Sequence, residues 1–330
     1  MNDLRLQKAI VVVGLCLLMS APALADDQKS DVSAIGSRNV AHKSIISQEK
    51  EIAIGKQYSE QIDKTAKLIH DPVILEYVNR VAQNVARNSD LKVPLTVKVI
   101  DDPSINAFAL PGGFLYIHSG VLKAASEEDQ LAGVMAHEMA HVACRHWASQ
   151  MTKATLLQYA TIPLIFVPMT LPVYMGVSQA FNFGVPLTFL HFDRNAEAEA
   201  DYFGLQYMYK AGYDPNSYVA FFAKVLEEER RQPGSVPKVF ADHPPTPDRI
   251  VRCEEEIKQI LPKRDQYLVT TSEFDDVKLR MTTVVAQMKK LEKPGPTLEK
   301  RDKTDSSQTG QKGASTSDDS TPPVLKRKDQ

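Results

Sequence analysis

The stretch "MAHEMAHVACRH", Met135 to His146, decides the fold, because it predicts the helix around which a metal-binding protein would be built. His137 and His141 are four residues apart, so on an α-helix both imidazoles can point at one metal ion. Glu138 lies about 100° away around the helix axis, where a carboxylate can reach a metal-bound water without being a ligand. His146 lies about 140° from His141 on the same helix, and we expect no ligand role for it.

A second stretch, "NAEAEADYFG", supplies candidates for the remaining ligand. A catalytic zinc held by two histidines needs a third protein ligand and one open position. Glu197 and Asp201 are spaced i to i+4 on a predicted helix, so one can bind metal while the other orients a ligand histidine. Glu199 is expected to point away from both. An isolated HExxH can arise by chance, and an acidic helix is usually a solvated face, but their joint occurrence favours a metal site.

The bulk composition fits one globular domain with appendages. The chain has 330 residues, 43% of them hydrophobic, and a formal net charge of -2, which gives no electrostatic reason to expect nucleic acid. Residues 1-25 read as a signal peptide cleaved near Ala25, since the apolar run is shorter than the roughly 20 residues of a retained anchor. Residues 26-46 are expected to be a linker or a surface arm, 47-288 the folded domain that carries the HExxH motif, and 289-330 a disordered tail.

Two further features leave alternatives open. Cys144 and Cys253 remain after signal removal, and they are either disulfide-bonded or two buried thiols. The segment 154-190 has no formally charged side chain and several prolines, so it is either a broken, buried helical segment or a peripheral contact with a membrane surface.

The predicted elements around the HExxH helix define a mixed fold. Ser47 and the pair Asp71-Pro72 are typical starts of helices, and Ser126 is the expected N-cap of the HExxH helix. "VPLTVKVI" (93-100) alternates like a strand, and "NAFALPGGFLYIH" (106-118) predicts two short strands around a Pro-Gly-Gly turn. The sequence therefore predicts an α+β fold, mostly helical, with a small β-sheet beside the HExxH helix.

Four blocks in order, "NAFALPGG", "HEMAH", "EAEAD" and "HPPTPDR", resemble the gluzincin metallopeptidases of family 48. This family includes HtpX, the CAAX prenyl proteases and the Oma-type and BepA-type proteases, and the resemblance covers roughly residues 48 to 281. It implies a zincin-like domain with one Zn²⁺ per chain bound by His137, His141 and Glu197. It also implies Glu138 as general base and Asp201 as a residue that orients a ligand.

The resemblance further implies a substrate side and two residues approaching the zinc. Asn106, Ala107, Gly112 and Gly113 would lie where a strand edge pairs with an extended substrate, with Asn106 binding a substrate carbonyl. The "HPPTPDR" block would bring catalytic groups near the zinc to stabilise an oxyanion. These are His243 and Arg249, and His243 could instead cap the metal's open position in a resting state.

The chain departs from the family at Asp193, where many members have serine, and it lacks the several membrane spans of the HtpX and prenyl-protease branches. It is therefore expected in the soluble, exported branch, periplasmic or secreted. The function that follows is a zinc-dependent endopeptidase that hydrolyses unfolded or misassembled envelope proteins in quality control. The alternatives are a zinc-dependent chaperone or assembly factor with a self-inhibited site, and a membrane-docking interaction protein.

Overall fold

The computed structural model describes residues 29-161, 192-231 and 246-292. The expected signal peptide, most of the apolar segment 154-190, and His243 lie outside these ranges. Inside them the chain is mostly helical with one three-stranded sheet, which confirms the α+β class. Among these residues no helix combines the length and apolar character needed to cross a membrane.

The first two helices begin where their capping residues predict. Helix α1 spans Gln48–Thr65, and the Ser47 side chain accepts a hydrogen bond from the Lys50 N–H. Helix α2 spans Pro72–Arg87, and the Asp71 side chain accepts from the Ile74 N–H, with proline in the first turn. The apolar stripe of α2 is buried, and it consists of Ile74, Tyr77, Val78, Val81, Ala82 and Val85.

The sheet contains three short strands, β1 (Thr96–Ile100), β2 (Ala107–Leu110) and β3 (Phe114–His118). Their order is β1-β3-β2, with β1 parallel and β2 antiparallel to β3, so β2 lies at an edge. The two strands predicted around a Pro-Gly-Gly turn are thus confirmed. In that turn Gly112 and Gly113 have φ of 81° and 91°, a conformation that residues with a Cβ rarely adopt.

Three helices follow the sheet: α3 (Ser119–Ala124), α4 (Glu128–Ala143) and α5 (His146–Thr161). Helix α4 carries the HExxH motif and is buried on nearly every side. The expectation that Ser126 caps α4 was wrong, because the N-cap residue is Glu127, without a side-chain cap. The Ser126 N–H instead donates to the Gln130 side chain, 2.8 Å away.

Four helices make up the rest of the described chain: α6 (Arg194–Ala211), α7 (Pro215–Arg231), α8 (Pro247–Ile260) and α9 (Ser272–Glu292). Asp193 caps α6 by accepting from the N–H groups of Asn195 and Ala196, a role that serine can also fill. Helix α6 crosses α4 closely, since a Cβ on Gly204 would lie 3.2 Å from the backbone of His137. Helix α9 continues past residue 289, the expected start of the tail, to Glu292.

Residues 29-46, left open as a linker or an arm, pack against the helices. Ile35 and Val40 are buried. The buried Arg38 guanidinium donates to Asp90, at 2.7 and 3.1 Å, and to the Gln206 side chain at 2.6 Å. The His42 N–H donates to the Cys144 carbonyl at the end of α4, 2.9 Å away. We call residues 29-46 the N-terminal arm.

Helices α4 and α5 are separate because Arg145 adopts a left-handed backbone conformation with φ 58°. This conformation costs a residue with a Cβ about 1–2 kcal/mol, and long-range contacts hold it. The Arg145 Nε donates to the Glu51 carboxylate at 2.7 Å, and Nη2 donates to the Ile46 carbonyl at 2.5 Å. The left-handed residue redirects the chain, so His146 does not lie on a continuation of α4, contrary to the expectation of one continuous helix.

Candidate active site

The two HExxH histidines and one carboxylate of α6 converge on a common point. His137 Nε2 and His141 Nε2 are 3.1 Å apart. The Glu197 carboxylate oxygens lie 3.5 Å from His141 Nε2 and 3.6 Å from His137 Nε2. All three side chains are buried. Donors bound tetrahedrally at about 2.0–2.2 Å would lie roughly 3.3–3.6 Å from one another, so the spacing and chemistry of this set fit a metal ion.

A buried network fixes the ring of His137. Its Nδ1 is 3.0 Å from Asp201 Oδ1, and the Tyr218 hydroxyl donates to the same oxygen at 2.8 Å. Arg249 donates to both Asp201 oxygens, at 2.7 and 2.8 Å, and its Nη1 lies 3.1 Å from Glu197 Oε2. Two carboxylates thus share one guanidinium, which leaves excess negative charge for a cation.

The same network sets the protonation of its members. Burial raises the pKa of Asp201, but the Arg249 charge and the hydrogen bond to His137 outweigh burial and hold that pKa well below its usual range. Burial lowers the pKa of His137, but its bonds to Asp201 and Glu197 raise the net value to about 9. A metal ion therefore competes with a proton at His137.

Glu138 is buried and lies beside the edge strand. Its Oε2 accepts a hydrogen bond from the Ala109 N–H at 3.1 Å. Ala109 is on β2, the strand at the edge of the sheet. The bond fixes the proposed general base against the backbone that an extended substrate would approach.

The four expected substrate residues divide into two groups. Asn106 precedes β2, and its buried Oδ1 has no hydrogen-bond partner among the described residues, while Ala107 opens the strand. Gly112 and Gly113 lie in the turn after β2, packed on other backbone. A Cβ on Gly112 would approach Ile52 Cα to 2.6 Å, and one on Gly113 would approach a carbonyl oxygen to 2.3 Å. The two glycines therefore have a structural reason to be present, independent of substrate.

A second cluster of ionisable side chains adjoins the first. His146 Nδ1 is 2.8 Å from His141 Nδ1, and His146 Nε2 is 3.2 Å from Glu199 Oε2. His42 of the N-terminal arm places its Nε2 2.5 Å from the same Glu199 oxygen. The expectation that His146 has no ligand role stays a prediction, but its ring lies against His141 instead of about 140° away around the helix. Glu199 does face away from the carboxylates of the network, but toward these histidines.

Burial and hydrogen bonding shift the pKa values of two members of this cluster, His146 and Glu199. Burial lowers the pKa of His146. Burial raises the pKa of Glu199, but its hydrogen bonds to His146 and His42 outweigh burial and hold that pKa well below its usual range. A neutral imidazole thus faces an ionised carboxylate. In the sequence, the pairing of His146 with Glu199 was indicated only by the extra histidine in "MAHEMAHVACRH" and the extra glutamate in "NAEAEADYFG".

The remaining expected residues are placed only in part. His243 lies outside the described ranges, so its approach to the metal stays a prediction. Arg249 is buried and does approach the cluster, but its contacts described above are with the two carboxylates. The ring of Phe192 stacks on His141 with centroids 4.3 Å apart and covers one face of this histidine.

Neither cysteine in the described ranges forms a disulfide. Cys144 and Cys253 are free and buried, and burial raises the pKa of both thiols. Of the two alternatives left open by the sequence, the structure has the buried thiols.

An HExxH helix whose histidines meet a glutamate from a later helix defines a metallopeptidase centre. The family model "Peptidase family M48" matches residues 75–257, more than half of the chain. The chain belongs to this family.

Curated relatives agree with this assignment. The chain is 33% identical over 254 residues to a Vibrio cholerae protein assigned as a beta-barrel assembly-enhancing protease, covering 75% of the chain and 52% of the relative. It is 28% identical over 260 residues to the beta-barrel assembly-enhancing protease of Escherichia coli K12, covering 77% and 52%. It is 34% identical over 212 residues to the mitochondrial metalloendopeptidase OMA1 of Schizosaccharomyces pombe, covering 63% and 59%. The chain spans about half the length of the bacterial relatives.

Proposed function

We propose that this protein is a zinc-dependent endopeptidase that hydrolyses peptide bonds in unfolded or misassembled envelope proteins after its own export. The observation that carries the proposal is the convergence of His137, His141 and Glu197 beside a buried Glu138 that is bonded to an edge strand. A binding protein needs no carboxylate at this position, whereas hydrolysis needs a general base.

His137, His141 and Glu197 would hold one zinc ion. Two imidazoles and one carboxylate are the ligand set of a catalytic zinc, which keeps a further position open. When bound, zinc supplies Lewis acidity that polarises the scissile carbonyl and lowers the pKa of a water molecule.

Glu138 would move the proton. Its carboxylate accepts a proton from the attacking water and delivers a proton to the leaving amine. The Ala109 N–H fixes Oε2, so the carboxylate cannot rotate freely away from the edge of β2. This restraint supports a role in which the Glu138 carboxylate accepts and then delivers a proton from the same position.

An extended backbone segment would pair with β2. An edge strand offers backbone groups that a substrate strand can join. The side-chain amide of Asn106, whose Oδ1 has no partner in the described part of the chain, is available to a substrate backbone group at the start of the strand. Only a locally unfolded chain can present such a segment, so unfolded proteins fit this surface.

Arg249 would position the two carboxylates beside the metal site. Its guanidinium is bonded to Asp201 and lies 3.1 Å from Glu197, so we assign it to holding these two carboxylates in place. His243 remains the candidate for stabilising the oxyanion or for capping the metal's open position.

The biological setting rests on the relatives and on the N-terminal sequence. Two bacterial relatives are named for enhancing β-barrel assembly, so proteins that assemble as β-barrels are the substrates to test first. The signal peptide predicted at residues 1-25 would direct the protein to the periplasm or the exterior.

The test compares wild type and Glu138→Gln on an unfolded outer-membrane β-barrel protein. We expect both proteins to bind zinc, and only wild type to cleave, with cleavage abolished by EDTA. Glu127→Gln makes the same substitution at the exposed start of the same helix and should cleave like wild type. Equal, EDTA-insensitive cleavage by wild type and Glu138→Gln would refute the proposal. Suppressed aggregation of the substrate without any cleavage would favour an assembly factor instead.

A further inference from the structure

The two ligand histidines are both held at Nδ1, but by different kinds of partner. His137 Nδ1 faces a carboxylate, that of Asp201. His141 Nδ1 faces another imidazole, that of His146, at 2.8 Å. A histidine that binds metal through Nε2 carries its proton on Nδ1 and needs an acceptor there. His146 Nδ1 must therefore be the acceptor when His141 binds a metal.

This requirement fixes the direction of every hydrogen bond in the second cluster. If His146 Nδ1 accepts, the proton of the neutral ring is on Nε2. That N–H then donates to Glu199 Oε2, 3.2 Å away. The same oxygen also accepts from His42 Nε2 at 2.5 Å, and Oε1 lies 3.4 Å from Lys29 Nζ. An ionised Glu199 can accept all of these bonds because a carboxylate has only acceptor sites.

We propose that His146 and Glu199 form a positioning relay that holds the Nδ1–H tautomer of His141 and thereby tightens metal binding. His42 links this relay to the N-terminal arm. The proposal rests on the proposed metal centre, but it does not depend on peptidase activity. In this proposal His146, Glu199 and His42 act on the metal only through His141, which His146 contacts directly.

The left-handed residue between α4 and α5 is what makes the relay possible. On an uninterrupted helix His146 would point about 140° away from His141. With Arg145 at φ 58°, the two rings instead meet with centroids 4.8 Å apart. The arm then closes the cluster from the other side, since the His42 N–H is bonded to the Cys144 carbonyl.

A second metal ion in the cluster of His42, His146 and Glu199 is the competing interpretation, because their donor atoms lie within 4.8 Å of one another. Metal binding at His146 Nε2 would move its proton to Nδ1. That proton would face the Nδ1–H of a metal-bound His141 across 2.8 Å, with no acceptor between them. Loading of the first centre therefore opposes a metal in the second cluster.

The test measures zinc affinity of the full mature chain by competition with a chromophoric chelator. His146→Phe keeps a ring but removes the acceptor, and we expect zinc to bind 10–100-fold more weakly. His146→Gln restores an acceptor oxygen and should recover most of the affinity, which a merely structural role for the ring would not produce. Glu199→Ala should also weaken zinc binding, and His118→Gln, a substitution in the separate contact with Ser104, should leave it unchanged.

Thermal unfolding of each variant without zinc shows whether the variant is folded. If His146→Phe does not fold, Glu199→Ala still tests the relay, because Glu199 is partly exposed. Wild-type affinity in Glu199→Ala would overturn the relay. So would a second zinc equivalent in wild type that Glu199→Ala loses. If wild type binds no zinc at all, both the relay and the proposed function fail. Tight zinc binding without proteolysis would leave the relay in place and remove the proposed function.

Discussion

Replacing Arg249 by methionine removes the one guanidinium that the described contacts place between Asp201 and Glu197. Arg249 is 5% exposed, and Asp201 and Glu197 are 1% and 7% exposed, so none of them can exchange this interaction for water. Methionine fills a similar volume and introduces no charge. The substitution therefore isolates the electrostatic contribution of the guanidinium.

The expected loss follows from the burial of the partners. Removing one member of a buried ion pair costs about 3–5 kcal/mol, because the remaining charge is left unpaired. Asp201 and Glu197 lose the guanidinium but keep His137, and Asp201 also keeps the Tyr218 hydroxyl, so we expect a loss near the lower end of this range, about 3 kcal/mol in the free energy of unfolding. Arg249→Lys keeps the charge but cannot reproduce the paired bonds to Asp201 at 2.7 and 2.8 Å, so its loss should be smaller.

The assay is urea unfolding in the presence of EDTA, so that a bound metal does not neutralise Glu197. The variants Arg249→Met and Asp201→Asn and their combination form a double-mutant cycle. We expect the double variant to lose less free energy of unfolding than the sum of the two single losses. A loss below about 1 kcal/mol for Arg249→Met would show that the carboxylates are not held by this residue. Additive losses in the cycle would lead to the same conclusion.

Three further predictions concern other parts of the fold. Gly55→Ala should destabilise the protein strongly, because the added Cβ would lie 1.7 Å from the Pro111 carbonyl oxygen, and urea unfolding measures the loss. Burial and nearby acidic groups raise the pKa of Asp129 to about 6, so its contribution to stability is greatest below about pH 4 and is lost as the pH rises through 6. Asp129→Asn should remove this dependence. A reducing agent should leave the thermal midpoint unchanged, because Cys144 and Cys253 are unpaired.

Each of these predictions has a control or a contradicting result. Gly36→Ala meets no atom closer than 3.8 Å and isolates the strain of a positive φ, so an equal loss at both glycines would contradict the clash with Pro111. The pH prediction fails if the stability difference between wild type and Asp129→Asn is the same at pH 4.5 and 7.5. A fall in the midpoint on reduction would indicate a disulfide in solution.

The local signals in the sequence were sufficient for the elements and for the candidate metal ligands. Ser47 and Asp71 cap helices because their short side chains reach the free N–H groups of the first turn, which depends only on neighbouring residues. The spacing of His137 and His141 follows from helical geometry in the same way. The i to i+4 spacing made both Glu197 and Asp201 candidates, and only the resemblance to the family singled out Glu197 as the expected ligand.

The second cluster could not be predicted, because it depends on contacts distant in sequence. The helical period gave a wrong direction for His146, because Arg145, the residue before it, has a positive φ and interrupts the helix. Glu51 and the Ile46 carbonyl hold that conformation, and neither is near Arg145 in the sequence. His42 lies in a polar stretch without hydrophobic periodicity, and such a stretch gives no prediction of which residues a side chain will contact.

The separation of His141 from Glu197 along the chain also has a consequence for biosynthesis. At 5–20 residues per second, the residues between them take roughly 3–11 s to synthesise. During this interval the chain offers only two of the three proposed ligands to a metal, although the N-terminal arm has already been made. A nascent chain therefore cannot assemble the proposed set of three ligands before the start of α6 has been made, so the proposed metal would bind only after that point of synthesis.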